Sequence, residues 1–206
     1  MKKALECLDG LRGMVLCDGT VFFDDVIGYI GEYIPVLTDD NIHQVVNDWC
    51  EGGKSKENIE AMYGHISKWD VSRVTNMSKL FHIKEYFNDN ISEWDVSNVQ
   101  SMKCMFEGAK SFNQPLNNWN VSNVEDMSDM FYYACSFNQP LNNWNVSNVT
   151  EMTSMFECAK SFNQSLKNWD VSSVTDMRCM FIYADSFNPK NADTWNRVLQ
   201  ESIRNS

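Results

Sequence analysis

The sequence predicts an α/β solenoid: a right-handed coil of short parallel strands and short helices, closed by helical caps at both ends. The first ground is the spacing of Trp69, Trp94, Trp119, Trp144 and Trp169, which recur every 25 residues without slippage. A fixed period of that length marks stacked structural units. The second is that the other large apolar residues keep the same phase. Val71 and Val74 follow Trp69 at two and five residues, and the pattern repeats through Val171 and Val174. Met77, Leu80, Phe81 and Phe87 likewise lead columns that end at Met177, Met180, Phe181 and Phe187. The boundaries that follow are a helical cap region over 1–66, five repeats over 67–190 and a helical cap over 191–206.

Within one coil, Trp119-Asn120-Val121 alternates in and out, as a short strand must when Trp and Val face a core. The period then changes. Val124, Met127, Met130, Phe131 and Ala134 lay one apolar stripe along about three turns of a helix. Ser122 stands where the helix would begin, and Ser72, Ser97, Ser147 and Ser172 repeat it. It is expected to cap the first free amides, with Gln100 or Glu125 completing a capping box in its coil. The Phe-Asn pair at Phe137-Asn138 recurs from Phe87-Asn88 to Phe187-Asn188. Stacked asparagines at such a corner predict a ladder of amides satisfying the backbone of neighbouring coils.

At the N-terminal side, Thr38 or Asp39 is positioned to cap a helix carrying Ile42, Val45, Val46 and Trp49, which Gly52-Gly53 ends. At the other end Asp193 is expected to cap a helix carrying Trp195, Val198, Leu199 and Ile203. Residues 1–36 do not share the period. Phe22 to Pro35 reads as an amphipathic helix with Val26, Ile30 and Ile34 on one face, faintly like the opening helix of an F-box.

The opening L-x-x-W-x-V-x-x-V of each coil places apolar residues where a leucine-rich repeat has its short strand. The whole pattern, W-[DN]-V-S-x-V-x-x-M-x-x-M-F-x-x-A-x-S-F-N-Q-x-L-x-x-W, resembles the repeat of the BspA-like surface-protein family over about residues 65–190. That repeat also occurs in mycoplasma lipoproteins and in protist, algal and large-virus proteins. Residues 37–42 and 63–70 resemble the segment that often precedes such arrays. The resemblance implies a leucine-rich-repeat-like solenoid used for binding or adhesion.

The 206-residue chain has a formal charge of −11. That disfavours nucleic acid and anionic membrane and favours another protein with a basic surface as partner. The charge is uneven: residues 1–66 carry 12 acids and 5 bases, residues 67–206 carry 16 and 12. No stretch has the apolar length of a membrane span. The N-terminus interrupts its apolar run with Glu6, Asp9 and Arg12, and Met14-Val15-Leu16-Cys17 lacks the small residue of a lipobox. An intracellular protein, virion- or complex-associated, is expected. Seven cysteines match no zinc pattern, and free thiols are the expectation, with a Cys135–Cys158 bridge the one conceivable pairing.

No histidine recurs beside the serines, no titratable groups converge, and no cofactor or metal motif is present, so an enzyme is not expected. The binding candidates are the exposed polar columns of the predicted strands: Asp95, Asn120, Asn145 and Asp170 after the Trp; Asn123 and Asn148 three further on; Asn118 and Asn143 before it. In register, these side chains can hydrogen-bond an extended peptide or a glycan. The Asp/Asn column has a competing structural explanation as a local backbone partner. Six N-x-S/T sequons, at Asn76, Asn90, Asn120, Asn145, Asn148 and Asn163, follow from the repeat itself. The functional expectation is a non-enzymatic scaffold for protein interaction. The alternatives are a microbial or viral surface adhesin and a substrate-recruiting adaptor.

Overall fold

The structure is a computed structural model that describes residues 36–195. The expectations for Phe22 to Pro35 and for Val198 to Ile203 lie outside the described residues.

Two helices precede the repeats and belong with them to one compact unit. Helix α1 (Ile42–Glu51) buries Ile42, Val45, Val46 and Trp49 on one face, and α2 (Gly53–Tyr63) buries Ile59. Gly52 separates them at φ 75°, a left-handed conformation suited to glycine. Thr38 and Asp39 do not cap α1 with their side chains. Asn41 is the N-cap residue and makes no side-chain cap bond, its Oδ1 accepting instead from the Thr38 amide at 2.9 Å.

Asp39 does something else. Its Oδ1 accepts from the amides of Thr75 (2.8 Å) and Asn76 (3.0 Å), and its Oδ2 from the Thr75 hydroxyl (2.6 Å). In later coils the equivalent amides of Thr150 and Glu151 both reach the carbonyl of Glu125, one coil earlier. The Asp39 carboxylate therefore replaces a backbone carbonyl that the first coil has no predecessor to supply. Burial alone raises its pKa, but the Thr75 hydroxyl and the two amides outweigh this and hold it below the ordinary carboxylate value.

The repeats contain no α-helix among the described residues, which corrects the expected short helices over Val124 to Ala134 and its equivalents. Parallel pairing also falls elsewhere than the Trp-x-Val segment: single bridges join Asn76, Ser101, Asp126, Glu151 and Asp176 in sequence. Beyond that point alternate amides reach the next coil. Those of Met127, Asp129, Phe131 and Tyr133 donate to the carbonyls of Glu151, Thr153, Met155 and Glu157, each at 2.9 Å. Tight turns fill the intervals, as in Met130 to Met127 (3.2 Å) and Ala134 to Phe131 (3.0 Å). These turns reproduce the three-residue apolar spacing of a helix without its bonds. The alternation requires left-handed backbone at Asp129 (φ 57°) and Tyr133 (φ 56°), and every coil repeats it at both positions. Only Gly108 among the ten is glycine. Each non-glycine residue there costs about 1–2 kcal/mol of backbone strain, which the ladder bonds offset.

The core is a set of columns. Phe81, Phe106, Phe131, Phe156 and Phe181 stack at 5.4–5.7 Å between centroids. Within each coil a second Phe lies against the first, at 4.0 Å for Phe131 and Phe137. Trp144 and Trp169 stack at 6.2 Å with planes 4° apart. Each indole N–H of the 25-residue column donates to a carbonyl of an earlier segment, Trp144 to Leu116 at 2.8 Å and Trp169 to Leu141 at 2.9 Å. The asparagine corner forms the expected ladder: the amides of Asn113, Asn138, Asn163 and Asn188 each donate to the side-chain oxygen of the asparagine one coil earlier, at 2.9–3.0 Å.

At the C-terminal side a 3-10 turn (Pro189–Ala192) follows the last corner, and Asp193 pairs with Lys167 at 3.1 Å. Trp195 stacks on Trp169 at 6.4 Å and donates to Leu166 O at 3.2 Å. It continues the tryptophan column, and the helix that Asp193 is expected to cap lies outside the described residues beyond Trp195. Cys50, Cys104, Cys135, Cys158 and Cys179 are free thiols, so the conceivable Cys135–Cys158 bridge is not formed. No helix among the described residues is long and apolar enough to cross a membrane.

Candidate functional site

The repeated serines are not helix caps. The Ser122 amide donates to Asn120 Oδ1 at 3.2 Å, and Ser97, Ser147 and Ser172 do the same to Asp95, Asn145 and Asp170 at 3.0–3.2 Å. The residue after each Trp closes a local turn, and the serine is its donor. Hydrogen bonds from the serine hydroxyl and amide hold Asp70, Asp95 and Asp170 below the usual carboxylate range. The same turn explains most sequons, since Asn76 and Asn90 accept from Ser78 and Ser92. Asn120→Ala is expected to cost about 1 kcal/mol by removing an acceptor. Ser122→Ala, which keeps the amide, is expected to change the denaturation midpoint little. The reverse order would restore the capping role.

The predicted binding residues therefore separate into three groups. Asp95, Asn120, Asn145 and Asp170 serve these turns. Asn118 and Asn143 are exposed before the Trp, and the Asn143 amide is held by Asn117 Oδ1 at 3.0 Å. Asn123 and Asn148 line a groove of about 670 Å³ together with Ser72, Arg73, Thr75, Asn98, Gln100, Glu125 and Thr150. Sequence reading missed the column of Thr75, Gln100, Glu125 and Thr150, because Gln100 and Glu125 were assigned to a capping box that does not exist.

The groove's asparagines also brace the stack. Nδ2 of Asn98, Asn123 and Asn148 donates to the carbonyl of Ser72, Ser97 and Ser122 at 2.7–2.8 Å. The threonine hydroxyls are engaged as well, Thr75 with Asp39 at 2.6 Å and Thr150 with Glu125 O at 3.3 Å. No aromatic side chain lines the groove. Among the described residues, no group of His, Cys, Asp or Glu has the arrangement of a metal site.

A second hollow of about 520 Å³ lies between α1 and the first coil and is lined by Trp49, Lys56, Lys84 and Tyr86 among others. Lys56 sits 4.1 Å from the Trp49 ring centroid, and Trp49 Nε1 donates to Asp89 at 2.7 Å. Lys56 also approaches Asp89 at 4.0 Å, and Glu85 pairs with Lys110 at 3.2 Å.

The model of a family described as "Mycoplasma protein of unknown function, DUF285" matches residues 54–159 and 136–205. No curated protein and no solved structure matches the chain. The family match begins in α2, runs through all five repeats and ends beyond Trp195. On the strength of that coverage, the chain belongs to this mycoplasma repeat family.

Proposed function

We propose that residues 67–190 coil as a right-handed solenoid of the BspA-like kind and act as a non-enzymatic scaffold that binds another protein through the groove face. The observation that carries this reading is the groove itself. Four coils contribute equivalent positions to one continuous polar surface, and its residues are in register because the ladder holds them there. Such surfaces, built by repetition, are what stacked repeats present to extended partners. Catalysis finds no support in the residues: the recurring serines are turn donors, and no histidine recurs beside them.

The test is a groove-filling substitution. Gln100 is exposed, and its side chain makes no hydrogen bond among the described residues. Gln100→Trp should leave the melting temperature within a few degrees, since surface changes away from structural contacts usually cost under about 0.5 kcal/mol. Affinity purification from the native source should then lose its specific partners. Partners retained equally by both proteins would place the interface elsewhere. Alanine at Asn118, Asn123, Asn143 and Asn148 together is the poorer test, because two of the four brace adjacent coils.

A further inference from the structure

Charge that looks balanced when summed along the repeats is sorted when read by column. Take the four polar positions that form the groove and its flanks: one, four, six and seven residues after each Trp. From the second coil to the fifth they hold Asp95, Glu125, Asp126, Glu151, Asp170 and Asp176, and no Lys or Arg. Of these, Asp176 is paired with Arg178 at 2.6 Å. The bases of the repeats fall in other columns, as with Lys103, Lys110 and Lys160. In the groove, Arg73 is the single cation and lies in the first coil.

Part of the groove's donor capacity is already used. Both threonine hydroxyls and one amide proton from each of three asparagines are spent within the stack. The side-chain oxygens of Asn98, Asn123 and Asn148 receive no hydrogen bond among the described residues, nor does the Glu125 carboxylate. What faces outward is a row of amides with free oxygens beside the Glu125 carboxylate, with the acids of the neighbouring columns along it. A glycan gains from an aromatic face, which this groove lacks. A polyanion is repelled.

We infer that the occupant of the groove is an extended protein segment rich in Lys and Arg, lying along the stack over coils two to four, with Arg73 turning its basic residues away from the first coil. This rests on the groove being the binding face. Ammonium and guanidinium groups are pure donors, so they complement the unpaired amide oxygens and the carboxylates of these columns.

The probe is a fluorescein-labelled twelve-residue peptide of alternating Lys and Ser, titrated with the full chain and followed by anisotropy. Saturable binding is expected, at least tenfold weaker at 300 mM than at 50 mM salt. The double variant Gln100→Lys with Glu125→Lys should weaken binding at least tenfold at low salt. Asp185→Lys with Ser136→Lys makes the same change in net charge at exposed positions outside the groove columns, and should weaken it less than twofold. Equal losses from both pairs would mean attraction by net charge alone and would overturn the inference, as would absence of saturable binding. If the peptide fails while Gln100→Trp still removes the native partner, the groove remains the interface and the basic segment is wrong. If Gln100→Trp also has no effect, the groove reading fails with it.

Discussion

Trp144→Ala should unfold the repeats at markedly lower denaturant. Trp144 is 2% exposed, stacks on Trp169 at 6.2 Å and meets Phe131 at 6.5 Å, so removing it empties a site bordered by two coils. Large aromatic deletions from a core cost about 3–5 kcal/mol. The substitution also removes the indole N–H bond to the Leu116 carbonyl at 2.8 Å, leaving that carbonyl with the Trp119 amide alone at 3.0 Å. Asn143→Ala, one residue earlier and exposed, should shift the midpoint little. Comparable losses in urea titrations of the two variants would overturn the inward assignment of the tryptophan column.

The second large effect concerns register. Deleting residues 119–143 removes one complete period and joins Asn118 directly to Trp144. Every column is restored: Phe106 meets Phe156, and the Gly108 amide faces a carbonyl equivalent to the one it lost. The shortened chain should fold as a cooperative unit with a lower midpoint, having one coil interface fewer. Deleting 24 residues, 120–143, should prevent folding of the second half. One residue of slip sends every apolar side chain of an alternating segment to the wrong face. It also misaligns four amide donors per interface. Circular dichroism and tryptophan fluorescence distinguish the outcomes, and a well-folded 24-residue deletion would mean that neighbouring coils tolerate slippage.

The buried lattice was legible because apolar phase survives whatever backbone lies beneath it. Met127, Met130 and Phe131 are all fully buried, as their spacing required. The asparagine corner was legible for a similar reason, since repeated polar residues beside buried aromatics must satisfy a backbone. The backbone between them was not. Spacings of three and four read as a helix by periodicity alone, and the left-handed residues that break it are Asp129, Ser154, Tyr133 and Cys158, none of them glycine. Gly108 was the one clue, standing in the column of Ile83, Tyr133, Cys158 and Tyr183. Bonds to the next coil overrode local propensity, and such bonds are invisible in a segment considered singly. The sorting of acids into the groove column and its neighbours was hidden by summing charge along the chain.

The direction of the ladder has a mechanical consequence. Its rungs join one coil to the next, so tension applied at an end of the repeats loads the outermost interface first while interior interfaces stay intact. The chain is then drawn out like thread from a spool, in steps of one period. Each step releases 25 residues, or about 85 Å of contour at full extension. A protein built in this way meets pulling with a train of nearly equal yields rather than a single rupture, and its extension records how many coils remain.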